Sequence, residues 1–449
     1  MGSYSIWGKF MQPYTLAPLL SEKDEAESSE GGIDPLGTEP LADALAVRLI
    51  PGVRERQRRP RFLTAMAVSL EVCQDFDEEM LASDGISPPW MVFEWYFVEG
   101  LIRTSDGDET VGLPGNLKAA RAIDDGVPLS TKRYLKTATV FGFHGVYRQL
   151  ARTLGIEDGG RLGETGFQLL STWAVEQGLP GFVGTGGGAG LDARSKLREA
   201  VSDGLKRGST DRSKGWAGWE FFRKHLSPHG MRPKEARCIA SALLNDAKGF
   251  RQDVIEFLIC EKGRRAWEKT TSEREFHRAL RGAARPELRE LLDAISSFEL
   301  FSRLCQDAFQ DCLREMTRQV GSKTPLVALA RLRSVQSASK RVPELFGEAL
   351  TRLEAVGESV RFSDMFASLG ERGSPQEWVE RLLDHHRITQ RRKPPNGKSP
   401  WFERFDDGGV IIRPDYRTDK AGTHDDGYVH LFRTPSLWQF ANDLKLVKV

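Results

Sequence analysis

Two clusters of basic side chains stand out in this sequence, and the chemistry that their types and spacing favour is the binding of phosphate groups. The first occupies residues 53–62, where arginine replaces lysine entirely and a single glutamate is present. Arginine suits two-pronged hydrogen bonding to phosphate or carboxylate oxygens. The candidate phosphate-binding side chains of this arginine loop are Arg54, Arg56, Arg58, Arg59 and Arg61.

The arginine loop also has a structural interpretation. Proline and the lack of helical periodicity indicate a loop, followed by a helix expected from about Leu63 to Phe76. Acidic residues lie at the far end of that helix, and a buried network between them and the arginines is the alternative to phosphate binding. These acidic residues are Asp75, Asp77, Glu78 and Glu79.

The second cluster lies within residues 385–404, which hold six lysines or arginines against one glutamate. The alternative to nucleic-acid binding is a solvated surface loop with Trp401 and Phe402 packed beneath it. The candidate nucleic-acid-binding residues of this C-terminal basic cluster are Arg387, Arg391, Arg392, Lys393, Lys398, Trp401 and Arg404.

The elements around the C-terminal basic cluster predict a small α+β module. Ser374-Pro375 suits the N-cap and first residue of a helix, and apolar residues follow at helical spacing. Residues 401–405 and 410–413 are short aromatic or β-branched runs joined by a turn over 406–409, which predicts a β-hairpin. Helix, basic loop and hairpin follow in the order of a winged-helix-like module, in which the helix reads a groove and the wing contacts phosphates.

No catalytic signature reaches the same strength. Asp384-His385-His386 has the letters of a phosphoesterase triplet, but it falls in the predicted helix and lacks aspartate-rich partner motifs. The glycine-rich stretch 181–190 is followed by Leu191-Asp192, where a phosphate-binding loop requires Lys-Ser/Thr. His144, among apolar neighbours, is interpreted as a core residue. The sequence therefore predicts no metal site and no cofactor, and it favours a protein without enzymatic activity.

The composition limits where an affinity for nucleic acid can arise. The 449 residues include 64 lysines and arginines and 63 aspartates and glutamates, so such an affinity must come from local patches. Hydrophobic residues make up 39% and charged residues 28%, which is typical of a soluble globular protein. Five scattered cysteines form no CxxC pair, and no secretory signal or membrane-spanning stretch is evident. We therefore expect a cytoplasmic protein with no membrane partner.

The hydrophobic periodicity predicts a mainly α-helical fold, a multi-helical body that carries the C-terminal α+β, winged-helix-like module. Within it we expect a core helix over 90–102, a long helix over 286–316, a strand over 428–433 and a terminal helix over 435–444. The expected organisation is a flexible acidic segment over 1–40, a helical domain over 41–180, a glycine-rich basic linker over 181–215, a helical domain over 216–370 and the C-terminal module over 371–449.

The stretch that leads into and through the arginine loop resembles the N-termini of uncharacterised bacterial proteins from antiviral defence islands. The likeness rests on a helix that ends in Leu49-Ile50-Pro51-Gly52 and on Arg58-Arg59-Pro60-Arg61-Phe62 at the start of the next helix. It extends over roughly the first hundred residues and a little of the C-terminus. The resemblance implies a role in antiviral defence and carries over no catalytic residue.

Together these features predict a DNA-binding or adaptor subunit of a bacterial anti-phage defence complex. Its expected partners are duplex DNA, bound through phosphates without sequence preference, and other subunits of that complex. Two alternatives are a metal-dependent nuclease component whose carboxylates meet only in the fold, and a protein-interaction scaffold that binds no nucleic acid.

Overall fold

The computed structural model describes residues 34–77, 79–104, 110–246, 249–319, 322–394 and 396–447. Within them the chain is mainly α-helical with two small antiparallel sheets, so the predicted fold class is confirmed at that level. The acidic segment predicted over 1–40 lies outside the described residues except for 34–40. Among the described helices, none combines the length and apolar composition that crossing a bilayer requires.

Short helices build the first half of the molecule, with a two-stranded hairpin, β1 (Glu157–Asp158) and β2 (Arg161–Leu162), among them. The helices of this half are α1 (Glu39–Leu49), α2 (Phe62–Cys73), α3 (Pro89–Thr104), α4 (Asn116–Asp124), α5 (Ala138–Phe141), α6 (Phe143–Thr153), α7 (Glu164–Glu176), α8 (Ala189–Arg207), α9 (Ala217–Leu226) and α10 (Pro233–Leu244).

The second half contains the two longest of the described helices and a second small sheet. The helices are α11 (Arg251–Ile259), α12 (Glu261–Thr270), α13 (Glu273–Arg281), α14 (Pro286–Arg318), α15 (Leu326–Ala330), α16 (Arg333–Ala355), α17 (Ser359–Gly370), α18 (Pro375–Arg392) and α19 (Thr434–Asp443). The strands are β3 (Thr324–Pro325), β4 (Phe402–Arg404) and β5 (Gly409–Ile412).

Helix α3 lies in the core of the first half, as its apolar sequence predicts. The ring of Phe97 packs against those of Phe62 and Phe143, with centroids 5.8 and 4.7 Å apart. Gly100 allows α9 to approach, because a Cβ at this position would lie 2.5 Å from Cδ2 of Phe222. Helix α3 therefore joins α2, which follows the arginine loop, to α6 and α9 in one packed unit.

Helix α14 is the long helix predicted over 286–316. Pro286 begins it, in the position where the missing amide proton costs nothing. Its buried face, which includes Ile295 and Phe298, packs mainly against α16 and supports the second half of the molecule. The buried apolar residues form one cluster that runs from Leu36 to Leu444. The domain divisions proposed from the sequence stay predictions.

The second sheet has the order β3–β5–β4, with both pairs antiparallel. Its hairpin, with Phe402 opposite Ile412, confirms the hairpin expected after the C-terminal basic cluster. The third strand comes from the α14–α16 connection, where Thr324 pairs with Val410. The winged-helix arrangement itself stays a prediction.

The strand predicted over residues 428–433 is wrong, because this segment has no regular secondary structure. Carboxylates take the place of a neighbouring strand as acceptors for its backbone amides. Glu299 accepts from the amides of Val429 and His430, and Glu273 accepts from those of Phe432 and Thr434. Alternation of apolar side chains could not reveal that buried acids from α13 and α14 satisfy this backbone. The terminal helix that follows, α19, is confirmed within one residue.

Candidate nucleic-acid interface

The arginine loop is held in shape by buried polar anchors. Gln57 is fully buried, and its side-chain amide donates to the carbonyl oxygens of Val146 (2.8 Å) and Gly52 (3.2 Å). The Tyr147 hydroxyl accepts from the backbone amides of Arg58 and Arg59, at 3.0 and 3.1 Å. Since these bonds satisfy the loop backbone from inside, the loop has one defined course.

The five arginines of the loop separate into inward and outward side chains. Arg54 and Arg61 are buried, and Arg61 forms an ion pair with Glu235, with Nε 3.1 Å from Oε1. Arg59 pairs with Asp443 of α19 at 3.2 Å. Only Arg56 and Arg58 are exposed.

Part of the loop does form a buried network, but the pairing predicted with the acidic residues at 75–79 is wrong, because its arginines pair with other carboxylates. The acidic residues expected to pair with the loop lie elsewhere: Asp75, for example, pairs with Arg198 at 2.6 Å, and Glu78 lies outside the described residues. The acids that do pair with the loop, Glu235 and Asp443, are far away in sequence. Their position could not be read from the local pattern.

The two exposed arginines are positioned by contacts along their stems and rings. The guanidinium carbon of Arg56 lies 4.1 Å from the ring centroid of Phe141. The stem of Arg58 packs on the backbone of Gly112, where a Cβ would lie only 2.4 Å from Arg58 Cβ. Among the described residues, neither guanidinium has a carboxylate partner. Both cations are thus held at the surface without a counterion.

Arg56 and Arg58 line a cavity of about 560 Å³, which we call the basic cavity. Helix α4 adds two exposed cations, Lys118 and Arg121, and the only acidic side chain in the lining is Glu55. The rest of the wall is largely apolar. Its other lining residues are Gly112, Leu113, Pro114, Gly115, Asn116, Leu117, Leu135, Phe141 and Val146.

The first turn of α4 forms one side of the basic cavity. Gly115, just before the helix, has φ +79°, and a Cβ there would lie 2.2 Å from the hydroxyl oxygen of Tyr134. Glycine is therefore required both by the backbone conformation and by the close approach of the ring. The Tyr134 hydroxyl donates to Glu94 at 2.8 Å. The ring that packs against the start of α4 is therefore itself held by a buried hydrogen bond. Positive charge from the helix dipole adds to that of the side chains.

Lys118 and Arg121 were missed by the sequence analysis. The two basic clusters that the sequence analysis singled out lie at 53–62 and 385–404, and the helix that carries Lys118 and Arg121 belongs to neither. Lys118 and Arg121 are three residues apart, which places them on the same face of that helix. Their proximity to the arginine loop depends on packing between distant segments and has no local signal.

The C-terminal basic cluster is divided between paired and exposed side chains. Arg387 pairs with Asp384 at 3.0 Å, and Arg404 pairs with the same carboxylate at 3.2 Å. The Lys393 ammonium donates to the carbonyl oxygen of Asp34 at 2.7 Å. The candidates whose side chains have no carboxylate partner among the described residues are Arg391, Arg392 and Lys398.

Trp401 packs against a neighbouring aromatic ring, and the histidine pair lies in the interior. Trp401 is half-buried and stacks on Tyr416, with the rings 4.8 Å apart. His386 donates from Nδ1 to the carbonyl oxygen of Pro35 at 2.8 Å, and its Nε2 accepts from the amide of Trp401 at 3.1 Å. Burial lowers the pKa of His386 to about 4, so this ring stays neutral. His385 donates to the carbonyl oxygen of Leu36 at 2.7 Å.

Ser69, His144 and Glu94 form a hydrogen-bonded chain with the order of a nucleophile, a base and an acid. Ser69 Oγ lies 3.0 Å from His144 Nε2, and Nδ1 of the same ring donates to Glu94 at 3.2 Å. The carboxylate also accepts from the amides of Phe143 and His144, both at 2.9 Å. Ser69 is 1% exposed and Glu94 is fully enclosed. We interpret the chain as a polar link between α2, α3 and α6, in agreement with the assignment of His144 to the core.

A second cavity, of about 460 Å³, lies between the C-terminal end of α14 and the start of α16. Its lining contains carboxylates as well as arginines, and His424 Nε2 lies 3.0 Å from Asp311. Within the described part of the chain, no group of three His, Cys, Asp or Glu side chains is placed to hold a metal ion. The basic cavity is thus the concave site with the larger excess of positive charge.

Comparison of the chain with models of protein families, with curated proteins and with solved structures found no match in any of the three.

Proposed function

We propose that this protein binds nucleic acid through its phosphates, with DNA as the polymer, and that the basic cavity is the principal contact. The observation that carries the proposal is the charge of the lining, four cationic side chains against one carboxylate. Four like charges around one concavity repel one another, and a bound polyanion removes that repulsion. Arginines are also the side chains best suited to hold phosphate oxygens by two hydrogen bonds at once.

The rigidity of the loop supports the same proposal. Arg56 rests on an aromatic ring and Arg58 rests on a glycine backbone, so both guanidinium groups have restricted freedom before any ligand arrives. A binding group that is already ordered loses less conformational entropy on association. A charged loop with only a solubilising role has no need of such anchoring.

We further propose that the protein acts as a subunit or adaptor of a bacterial anti-phage defence complex. The support is the resemblance carried by residues 49–52 and 58–62. These segments are also the ones that build the arginine loop: the carbonyl of Gly52 binds the Gln57 anchor, and Arg58 lines the basic cavity. In this proposal the segment that resembles defence-island proteins and the segment that contacts nucleic acid are the same.

The C-terminal basic cluster is proposed as a second contact. Arg391 and Arg392 are exposed at the end of α18, and the hairpin of β4 and β5 follows the basic loop. This order supports winged-helix-like docking in which the hairpin acts as the wing. One face of α18 is buried against the core, as His386 illustrates, so docking would involve the end of the helix rather than its whole length.

The direct test is a mobility-shift titration of the double variant Arg56→Ala plus Arg58→Ala at two salt concentrations. Each lost phosphate contact is expected to lower the slope of log K against log salt by about 1, so the double variant should lose about 2. Lys340→Ala plus Arg341→Ala is the matched control, because it removes two exposed cations from α16 outside the cavity. An unchanged affinity and slope in the cavity variant would refute the proposal.

The two alternatives have their own signatures. Plasmid cleavage that requires Mg²⁺ and stops on addition of a chelator would favour the nuclease component. A stable complex with a protein partner, together with no affinity for nucleic acid at low salt, would favour the scaffold.

A further inference from the structure

The shape of the basic cavity restricts which part of a nucleic acid it can receive. A duplex presents its phosphates on a convex surface, with the bases stacked inside. The cations of this site instead line an open concavity of about 560 Å³, a volume within the range of small-molecule binding sites. A duplex backbone can touch the rim of such a site, whereas an unpaired nucleotide can enter it.

The apolar wall of the cavity has no role in binding a duplex backbone. Six of its lining residues are apolar or aromatic, and Leu117 of α4 is 74% exposed at this site. An exposed leucine beside cations offers a surface that a phosphate cannot cover and a base can. These six residues are Leu113, Pro114, Leu117, Leu135, Phe141 and Val146.

Arg56 and Phe141 add a stacking surface. The guanidinium carbon lies 4.1 Å from the ring centroid, so one side of the cation is covered by the aromatic ring. Guanidinium planes and aromatic rings are the usual surfaces on which proteins stack unpaired bases. Stacking of this kind tolerates any base, which agrees with binding that does not depend on sequence.

We propose that the basic cavity holds one unpaired nucleotide of a single strand, with the base on the apolar wall and the phosphate on the cations of Arg58 and α4. The inference rests on the proposed function and narrows its substrate from nucleic acid in general to strand ends, gaps or single-stranded stretches. The first residues of α4 line the cavity together with Lys118 and Arg121, so the positive end of the helix dipole adds to the attraction of these cations for a phosphate.

The test uses the full-length protein and fluorescence anisotropy with two probes of equal length, a 12-nucleotide oligothymidylate strand and a blunt 12-base-pair duplex. Wild-type protein is expected to bind the single strand roughly tenfold more tightly than the duplex, since one stacked base provides a gain of that order. Leu117→Ser is expected to reduce single-strand affinity severalfold and duplex affinity by a smaller factor, so that the preference for the single strand falls. Val175→Ser, at a 75% exposed valine of α7, is the matched control and should change neither.

The outcomes separate this inference from the proposed function. Equal affinity of wild-type protein for the two probes, with both lost in Arg56→Ala plus Arg58→Ala, would overturn the inference and leave the proposed function standing. Retention of both affinities in that double variant would overturn the proposed function. If thymidine monophosphate competes no better than inorganic phosphate for the single-strand site, the base is not held and the inference fails.

Discussion

Arg61 and Glu235 form an ion pair inside the protein, with Nε 3.1 Å from Oε1 and both side chains closed to solvent. The guanidinium also donates to the carbonyl oxygens of Ser227 and His225, and the Thr64 hydroxyl donates to the same carboxylate at 2.7 Å. The pair therefore fixes the start of α2 against α10. It also removes Arg61 from the surface that Arg56 and Arg58 share.

Replacement of Arg61 by alanine is expected to lower the free energy of unfolding by about 3–5 kcal/mol, because it leaves the Glu235 carboxylate buried without its counterion. Urea unfolding followed by circular dichroism measures the change. Arg56→Ala is the control within the same loop and should stay within about 0.5 kcal/mol of wild type, since its side chain is exposed. A loss below about 1 kcal/mol for Arg61→Ala would show that the carboxylate reaches solvent.

Glu273 predicts a dependence of stability on pH. Burial raises the pKa of its carboxyl from 4.5 to about 7, although it accepts hydrogen bonds from the backbone of Phe432 and Thr434. A raised pKa in the folded state means that folding favours the protonated acid. The resulting stabilisation is complete below pH 4.5 and is lost as the pH rises through about 7, up to roughly 3 kcal/mol for a shift of this size. The variant Glu273→Gln removes this dependence, because its amide side chain does not ionise.

The measurement is the free energy of unfolding of both proteins at pH 5 and at pH 8. The decrease between the two pH values is expected to be smaller in Glu273→Gln than in wild type. Two identical decreases would show that Glu273 does not titrate in this range.

Gly115 and Gly126 allow backbone strain to be separated from steric conflict. Both have positive φ, +79° and +69°, but a Cβ would lie 2.2 Å from the Tyr134 hydroxyl oxygen at Gly115 and would meet nothing within 4 Å at Gly126. Gly126→Ala is expected to lower the free energy of unfolding by about 1–2 kcal/mol, because an alanine is strained at positive φ even where its Cβ meets no neighbour. Gly115→Ala should cost about 1–3 kcal/mol more, because Tyr134 is buried and cannot move aside.

Gly115→Ala should also weaken nucleic-acid binding, since the first turn of α4 lines the basic cavity. Equal melting temperatures for the two glycine variants would contradict the predicted steric effect.

Ser69 is expected to be unreactive in spite of its contact with His144. A fluorophosphonate probe requires an accessible hydroxyl, and the Ser69 side chain is enclosed. Intact-mass spectrometry of native protein after incubation should show no adduct on Ser69 at a level above that of Ser69→Ala. Stoichiometric labelling would show that Ser69 is a reactive nucleophile. It would overturn the structural interpretation of the hydrogen-bonded series Ser69–His144–Glu94.

Local signals in the sequence were sufficient for much of the fold. Pro89 and Pro286 begin the helices that the periodicity predicted, and the turn over 406–409 joins the predicted hairpin, because proline and glycine act on the backbone where they stand. The strand predicted over 428–433 was wrong because the groups that decide its conformation are not local. Its backbone amides are satisfied by Glu273 and Glu299, whose side chains arrive from separate helices.

The sequence predicted one part of the candidate site, the arginine loop, but not the part that α4 contributes. The arginine loop could be recognised from its composition. Which of its arginines point inward could not, because that depends on the buried anchor Gln57 and on the distant carboxylates of Glu235 and Asp443. Lys118 and Arg121 enter the site through the packing of α4 against that loop, which no short-range pattern encodes. Long-range packing therefore decided which of the basic residues form a cavity.

The Arg433 guanidinium donates to the carbonyl oxygen of Val53 at 2.6 Å, across 380 positions of the chain. Ser436 donates to the carbonyl oxygen of Arg54 at 3.0 Å, so α19 supports the arginine loop from behind. Contacts of such sequence separation form late, since the intervening chain has to be ordered first. During synthesis these two contacts can form only after α19 has left the ribosome, whereas the Gln57 and Tyr147 anchors of the loop can form before it. A nascent chain that lacks this helix is therefore expected to hold the first residues of the arginine loop less firmly than the finished protein does.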